Sequence, residues 1–345
     1  MRKVFLPILC LFAICVSCEP LKIDVIDKDD KIPDEIEVPS YVADSLRPYA
    51  ESFRRVFDSC SEKEAFLFFT DPHLLNAENE FSQADQNRIK KYFTPVKALY
   101  DYLPLSFCLC GGDWLNSGDT QSVAMLKLLY IDQQMKHWFS PYYKMYGNHD
   151  TNYQGVVSNT DFSRGDLPYS FVESEYFSET KKAYYSFKGE NTVFYILDSG
   201  LDFTPAMDDY RWEQVTWLAE QLKDNTEKHI VIGLHIYFNG KVANNNPMPF
   251  SSEITSLCSA FNNREKHVVN GIEFSFAEAS GNVHALFAGH NHIDFSVENV
   301  GIPVVGVSRF IRNDTPTFDL CLINYDEGYL DLIRVGYGQN RHIRI

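Results

Sequence analysis

The stretch Pro104-Leu105-Ser106-Phe107-Cys108-Leu109-Cys110-Gly111-Gly112-Asp113 is an apolar run that stops on two glycines and a carboxylate. A short run without charge reads as a strand buried on both faces, and glycine lets the chain turn sharply where it ends. The carboxylate is then delivered at the strand's C-terminal end. The same arrangement recurs on either side. Ala65-Phe66-Leu67-Phe68-Phe69 leads into Thr70-Asp71-Pro72-His73, and the run 142–146 leads into Gly147-Asn148-His149-Asp150. Helical patterns lie between these runs, over 83–102 and 120–139, and Pro95 predicts a break in the first. A further helix is expected over 41–57. The β-α-β-α-β order argues for an α/β fold with a largely parallel sheet, whose ligands sit beyond the carboxyl ends of the strands.

The pattern continues downstream. Strands are expected over 183–187, 192–197, 229–234 and 283–287, with a helix over 210–222. Two of these strands again end on ligand-type residues, at Gly233-Leu234-His235 and Gly289-His290-Asn291-His292. Residues 239–282 read as an insertion with helical pieces, and 302–345 as strands and turns. No shift in composition marks a second domain, so one catalytic domain is expected over 41–345.

The clusters together contain carboxylate and imidazole groups, a donor set that suits Mn, Zn or Fe better than Mg or Ca. Asp71 and His73 are two residues apart, as are His290 and His292, so each pair lies on one side of an extended segment. Asp71, His73, Asp113, Asn148, His235, His290 and His292 are too many ligands for one tetrahedral ion. They suit two ions roughly 3.5–4 Å apart with a shared carboxylate.

These clusters, in this order, resemble the calcineurin-like metallophosphoesterase family, whose pattern is D-x-H, GD, GNH-D/E, H and GH-x-H. The resemblance covers residues 64–294. It implies a four-layer αββα sandwich with one catalytic domain. It implies that Asp71, His73 and His292 hold one of two divalent or trivalent transition-metal ions. Asn148, His235 and His290 would hold the other, and Asp113 would bridge them. His149 would act at the leaving group, and Asp150 would orient His149. The implied reaction is hydrolysis of phosphate esters, diester or monoester, by a hydroxide shared between the metals. A second reading is a surface lipoprotein that captures a phosphorylated ligand through the metal site without hydrolysis; His149 favours the enzyme. The presence of His73 and the lack of a Tyr soon after Asp113 set the chain apart from purple acid phosphatases. The run Gly112 to Gly118 lacks the Asp-Arg pair of the family's protein phosphatases.

Other residues near the clusters carry plainer expectations. Asn116 and Asp119 read as caps of the helix near Thr120. Asp198 reads as a turn residue, His284 as a core or edge histidine, and Asp294 has no assigned part. Trp114, Tyr146, Tyr153, Tyr237 and Phe238 adjoin ligands and could stack on a substrate ring, although packing is the commoner use of such side chains. Arg309 and Arg312 are candidates for a substrate phosphate, with nothing in the sequence to place them.

The net charge of −16 over 345 residues argues against duplex nucleic acid as a partner and makes bound metal the natural attractor for a phosphorylated small molecule. Residues 1–18 have a signal-peptide layout: Arg2 and Lys3, an apolar run to Val16, then Ser17-Cys18. The end of that run resembles the lipobox of bacterial lipoproteins, with Cys18 as the acylated residue. The acidic residues after it resemble the surface-export signals of Bacteroides-type lipoproteins. A flexible acidic tether is expected over 19–40. The expected location is the cell envelope, lipid-anchored in the outer membrane or at the cell surface, the alternative being a secreted or periplasmic protein. No obligate protein partner is evident. Cys60, Cys108, Cys110, Cys258 and Cys321 remain beyond the signal, an odd number that argues against a full disulfide framework.

Overall fold

The structure is a computed structural model and describes residues 38–75, 80–116, 119–151, 183–199, 208–237 and 251–345. Six helices and sixteen strands are present among the described residues. In the first half, α1 (Arg47–Ser59) precedes β1 (Lys63–Phe69), α2 (Gln83–Tyr102), β2 (Phe107–Cys110), α3 (Gln121–Trp138), β3 (Tyr142–Lys144) and the single turn α4 (Asn148–Thr151). The middle contains β4 (Tyr185–Lys188), β5 (Thr192–Leu197), α5 (Asp208–Lys223), β6 (His229–Leu234), α6 (Ser251–Asn262), β7 (Lys266–Val269), β8 (Ile272–Ser275) and β9 (Asn282–Ala288). The remainder is all strand: β10 (Phe295–Asn299), β11 (Ile302–Gly306), β12 (Ile311–Arg312), β13 (Thr315–Pro316), β14 (Phe318–Asn324), β15 (Tyr329–Val335) and β16 (Arg341–Arg344).

Two six-stranded sheets form the centre. One has the order β16-β15-β14-β1-β2-β3, the other β10-β11-β9-β6-β5-β4. Neither is fully parallel. β1, β2 and β3 run parallel, as do β5, β6, β9 and β11, and antiparallel strands extend both groups. The expectation of a largely parallel sheet therefore holds only for β1–β3 in one sheet and for β5, β6, β9 and β11 in the other.

Phenylalanines on alternate positions of β1 serve two different cores, because successive side chains point to opposite faces. Phe66 and Phe68 turn toward the second sheet and meet Phe287 of β9 edge-on, with ring centres 5.4 and 5.2 Å apart. Phe107 of β2 meets Phe194 of β5 in the same way, at 5.0 Å. Phe69 points outward to Phe93 of α2. α1 packs on β14 and β15, and α6 packs on β9 and β11. The result is an αββα sandwich, and it explains the unbroken apolar runs: a strand covered on both faces has no side to leave polar.

Three sequence expectations need correction. Pro95 does not break its helix, since α2 runs unbroken from Gln83 to Tyr102. A mid-helix proline costs about 3 kcal/mol. Burial of Phe93, Val96 and Leu99 on the same helix returns more than that, at roughly 1.5–3 kcal/mol each. The first helix begins at Arg47 rather than near Tyr41. The insertion includes a β-hairpin, β7–β8, beside its helix α6. Its turn is Asn270-Gly271, both at positive φ, a strong hairpin dipeptide that was there to be read. The part of the insertion over 239–250 lies outside the described residues, as do the signal peptide, most of the tether, Tyr153 and Phe238.

Candidate metal centre

Every cluster named from the sequence stands at one edge of the sandwich, where the parallel strands end. β1 delivers Asp71 and His73, β2 delivers Asp113, α4 begins at Asn148 just beyond β3, β6 delivers His235, and β9 delivers His290 and His292. The strand ends are bonded to each other. The Asp71 amide donates to Gly112 O at 2.9 Å, the His73 amide to Asp113 O at 3.2 Å, and the Gly289 amide to His235 O at 2.9 Å.

The side chains form two groups that share one carboxylate. Asp71, His73, Asp113 and His292 make one, and Asp113, His235 and His290 make the other. Asp113 Oδ2 lies 3.7 Å from His73 Nε2 and 3.1 Å from His235 Nε2. His292 Nε2 is 3.1 Å from Asp71 Oδ1 and 3.2 Å from His73 Nε2. In the second group Asn148 Oδ1 lies 2.9 Å from His290 Nδ1. Ligands bonded to one ion at roughly 2.1 Å stand roughly 3.0–3.4 Å from each other, so most of these spacings suit a shared cation.

Hydrogen bonds on the far side of two rings decide what the near side offers. His73 Nδ1 is 2.8 Å from the Leu115 carbonyl, and His235 Nδ1 is 2.6 Å from the Gly111 carbonyl. A carbonyl only accepts, so each Nδ1 carries the proton and each Nε2 presents a lone pair inward. Asp71 is arranged alike. Its Oδ2 accepts from Thr70 Oγ1 at 2.6 Å and from the His290 amide at 3.0 Å. That leaves Oδ1, which with His235 Nε2 is buried and lacks a hydrogen-bond partner among the described residues. Buried acceptors left without a hydrogen bond are unfavourable unless a cation lies beside them. The donor set and these orphaned atoms fit a metal pair.

The charges agree. Burial works against ionisation, yet the neighbouring imidazoles of His292 and His235 hold the Asp71 carboxyl below the ordinary carboxylate range. Asp113 is likewise held far down, against burial, chiefly by His235. Burial also opposes a charge on His235, but Asp113 outweighs it and lifts the imidazole to about 9. Burial and the nearby His235 push His290 down to about 4. The site keeps its carboxylates ionised and takes up positive charge, which a proton supplies at His235 when no other cation does.

The backbone at these positions is unusual. Asp71, His73, Asp113, His290 and His292 all have positive φ, between 43° and 66°. Side chains other than glycine seldom adopt that region, and such residues gather at functional sites. The turns are also tight: a Cβ on Gly147 would lie 2.0 Å from Asp113 Oδ1, so that position admits no side chain.

Several expectations resolve differently from their sequence reading. Asp150 was expected to orient His149. Instead its Oδ2 accepts from the amides of Asp113 and Gly147, at 2.8 and 3.2 Å, and its Oδ1 from those of Trp114 and Leu115, also at 2.8 and 3.2 Å. Four N–H donors use a carboxylate's acceptor capacity, so Asp150 shapes the Asp113 loop. His149 is half-buried, its ring centre is 4.8 Å from that of His73, and its amide donates to Asp113 Oδ1 at 2.8 Å. Asn116 straps the first loop by donating to the carbonyls of His73 and Leu75. Asp119 forms a buried ion pair with Lys127 at 2.8 Å. Asp294 accepts from Arg334 and from the Ser308 amide, in a network that also holds Asp319 and Arg341. Asp198 ends β5, where its amide and carbonyl bond the Gln214 side chain. Trp114, Tyr146 and Tyr237 are buried. Thr70 was not singled out; a hydroxyl immediately before the first ligand was its only signal.

No family model matches the chain, and no curated protein matches it in sequence. Solved structures do match. The chain is similar to a dimetal phosphatase from Danio rerio, with a TM-score of 0.56 and 13% identity, over 81% of this chain and 98% of that one. It is also similar to a purple acid phosphatase from yellow lupin seeds, with a TM-score of 0.46 and 14% identity, over 82% of this chain and 54% of that one. The fold is an α/β fold with two mixed sheets, shared with the dimetal phosphatase structure.

Proposed function

We propose that this chain is a two-metal phosphoesterase that hydrolyses phosphate diesters or monoesters. The observation that carries the reading is the pair of ligand groups meeting at Asp113 Oδ2, with His73 Nε2 at 3.7 Å on one side and His235 Nε2 at 3.1 Å on the other. Asp71, His73 and His292 would hold one ion, Asn148, His235 and His290 the other, and Asp113 both. Two such cations supply a water-derived nucleophile near neutral pH and positive charge for the phosphate oxygens.

The protein's own groups do the rest. The carbonyls of Leu115 and Gly111 hold the protons of His73 and His235 on Nδ1 and so aim both lone pairs inward. Asp150 fixes the loop that presents Asp113. To His149, whose ring lies beside that of His73, we assign the part of donating a proton to a departing oxygen or stabilising charge there. The ions we propose are Mn, Zn or Fe, from the mixed nitrogen and oxygen donors. The substrate is a phosphorylated small molecule. From residues 1–18 we propose a lipid on Cys18 and a place in the cell envelope, at the outer membrane or cell surface.

Metal analysis of the protein purified without chelator, combined with turnover of an aryl phosphodiester and an aryl phosphomonoester, tests the reading. About two transition-metal ions per chain and turnover of either ester are expected. Asp113→Asn and His235→Ala should each lose metal and activity. Unchanged turnover in both variants would sink the assignment, and full metal loading without turnover of any ester would favour ligand capture.

A further inference from the structure

Arg309 stands on a short loop between two anchors, and both anchors reach the ligand cluster. On one side is Ser308, which is fully buried; its amide donates to Asp294 Oδ1 at 2.9 Å and its hydroxyl to the His292 carbonyl at 3.3 Å. On the other is Phe310, whose amide donates to the carbonyl of Thr70 at 2.8 Å, one residue from Asp71. The Phe310 ring stacks on Phe93 at 4.4 Å between centres, and its carbonyl accepts from the Thr317 amide at 2.6 Å. The loop follows β11, whose last residue, Gly306, pairs with Ala288 at the end of β9. The backbone of Arg309 is thus pinned beside the half of the cluster formed by Asp71, His73 and His292.

Among the described residues, none claims the side chain. Arg309 is exposed and makes no hydrogen bond or ion pair with any described residue. The other arginines at this edge are committed. Arg334 and Arg341 bind Asp294, Asp319 and backbone carbonyls. Arg312 reaches Ser308 Oγ at 3.4 Å and lies over the Tyr337 ring at 4.6 Å. In a chain of net charge −16, carboxylates to pair with are plentiful. A guanidinium that no described residue claims, carried on a backbone pinned next to the ligand cluster, is suited to an anion brought by the substrate. Its planar fork matches phosphoryl and carboxylate oxygens two at a time.

We propose that Arg309 is a specificity-determining residue that grips a second anionic group of the substrate, phosphoryl or carboxylate, while the metal cluster engages the scissile phosphate. This rests on the phosphoesterase reading. The substrate class it implies is a phosphate ester with a further negative group within reach of the first.

The test measures binding to the metal-loaded full-length protein by calorimetry, with orthophosphate, methylenediphosphonate and phosphoglycolate as probes. Arg309→Ala should weaken methylenediphosphonate or phosphoglycolate about tenfold, the effect of one lost charge-assisted contact, and leave orthophosphate unchanged. The probe that weakens tells whether the second group is phosphoryl or carboxylate. Arg309→Lys should recover part of the loss. Arg55→Ala, the same change of charge on α1, should leave all three probes as they were. With a cleavable substrate that carries the second group, KM should rise in Arg309→Ala and kcat should hold. If orthophosphate binds and Arg309→Ala matches the parent protein on both larger probes, Arg309 has no such role and the phosphoesterase reading stands. Equal weakening of all three probes would also overturn the role. If the parent protein binds no orthophosphate, the phosphoesterase reading falls and this inference falls with it.

Discussion

At the scale of single residues, several ligands are held by hydrogen bonds at one atom that leave another atom turned inward. Asp71 is the clearest example. Thr70 and the His290 amide occupy Oδ2, so Oδ1 is turned toward His292 and His73. Thr70 is therefore expected to matter although it touches no metal. Groups that orient a ligand typically contribute 10–100-fold to metal affinity. Thr70→Val keeps the shape and removes the hydroxyl. It should weaken binding of the ion on the Asp71 side by about tenfold or more, read by competition with a metal chelator, while thermal stability changes little. An affinity equal to that of the parent would show that the His290 amide alone suffices to orient Asp71. The five ligand residues at positive φ carry a related cost, on the order of 1–3 kcal/mol each for strained backbone. Stability elsewhere must hold them there, and that requirement leads to the larger elements.

At the scale of elements, much of this holding falls to the last strands. Asp319 on β14 accepts from Arg334 on β15 at 2.6 Å and from Arg341 on β16 at 2.8 Å. Arg334 goes on to Asp294, and Asp294 takes the Ser308 amide. All four charged groups are buried or partly so, and burial alone would push the Asp319 carboxyl up. The two guanidiniums outweigh burial and hold it below its ordinary range. Removing one member of such a network strands the others away from water, which typically costs about 3–5 kcal/mol. Asp319→Ala should therefore lower the stability by an amount of that order in denaturant unfolding. A loss of under about 1 kcal/mol would mean that water reaches the arginines. The elements also show where local reading succeeds. β2 and its glycines were legible because a charge-free run closing on Gly-Gly-Asp has few other readings. α2 was legible from its helical pattern over 83–102, and the structure caps it reciprocally through Ser82 and Asp85, but its passage through Pro95 was not legible. The cost of the proline is local, whereas the burial that offsets it comes from neighbours distant in sequence.

At the scale of the whole molecule, the two sheets are joined by aromatic packing in the middle and by polar groups at the end opposite the site. There His229 on β6 lies 2.9 Å from His284 on β9 and 3.0 Å from Glu62, which precedes β1. Tyr325 stacks on His229 at 3.5 Å between ring centres, and Lys228 pairs with Glu62. Burial, and then the neighbouring His229, push His284 from its ordinary 6.5 to about 4; burial lowers His229 as well, against the pull of Glu62. The folded form thus resists protonation that the unfolded chain accepts. The resulting stability is fully present above about 6.5 and is lost as the pH falls toward about 4. The loss should be on the order of 2 kcal/mol, read as a drop in unfolding free energy between neutral buffer and mild acid. His284→Gln should flatten that dependence; an unchanged slope would place its origin elsewhere.

The sequence by itself determined the order of strands and helices in the first half, and it marked the residues that gather at the site. It could do so because a strand covered on both faces must be apolar throughout, so any polar residue at its end stands out. Only the tertiary structure decided what those residues are free to do. Asp150 looked like a partner for His149 because the two adjoin in the chain, and it became a clamp on the Asp113 loop because four amides converge on it in space. Arg309 had no sequence context at all. Its position beside the cluster comes from hydrogen bonds to His292 and Thr70 through its two neighbours, residues that only the pairing of β11 with β9 and the meeting of the two sheets bring together. Burial patterns are written locally, one residue after another. Hydrogen-bond partners are chosen among groups that approach each other only when the chain has folded.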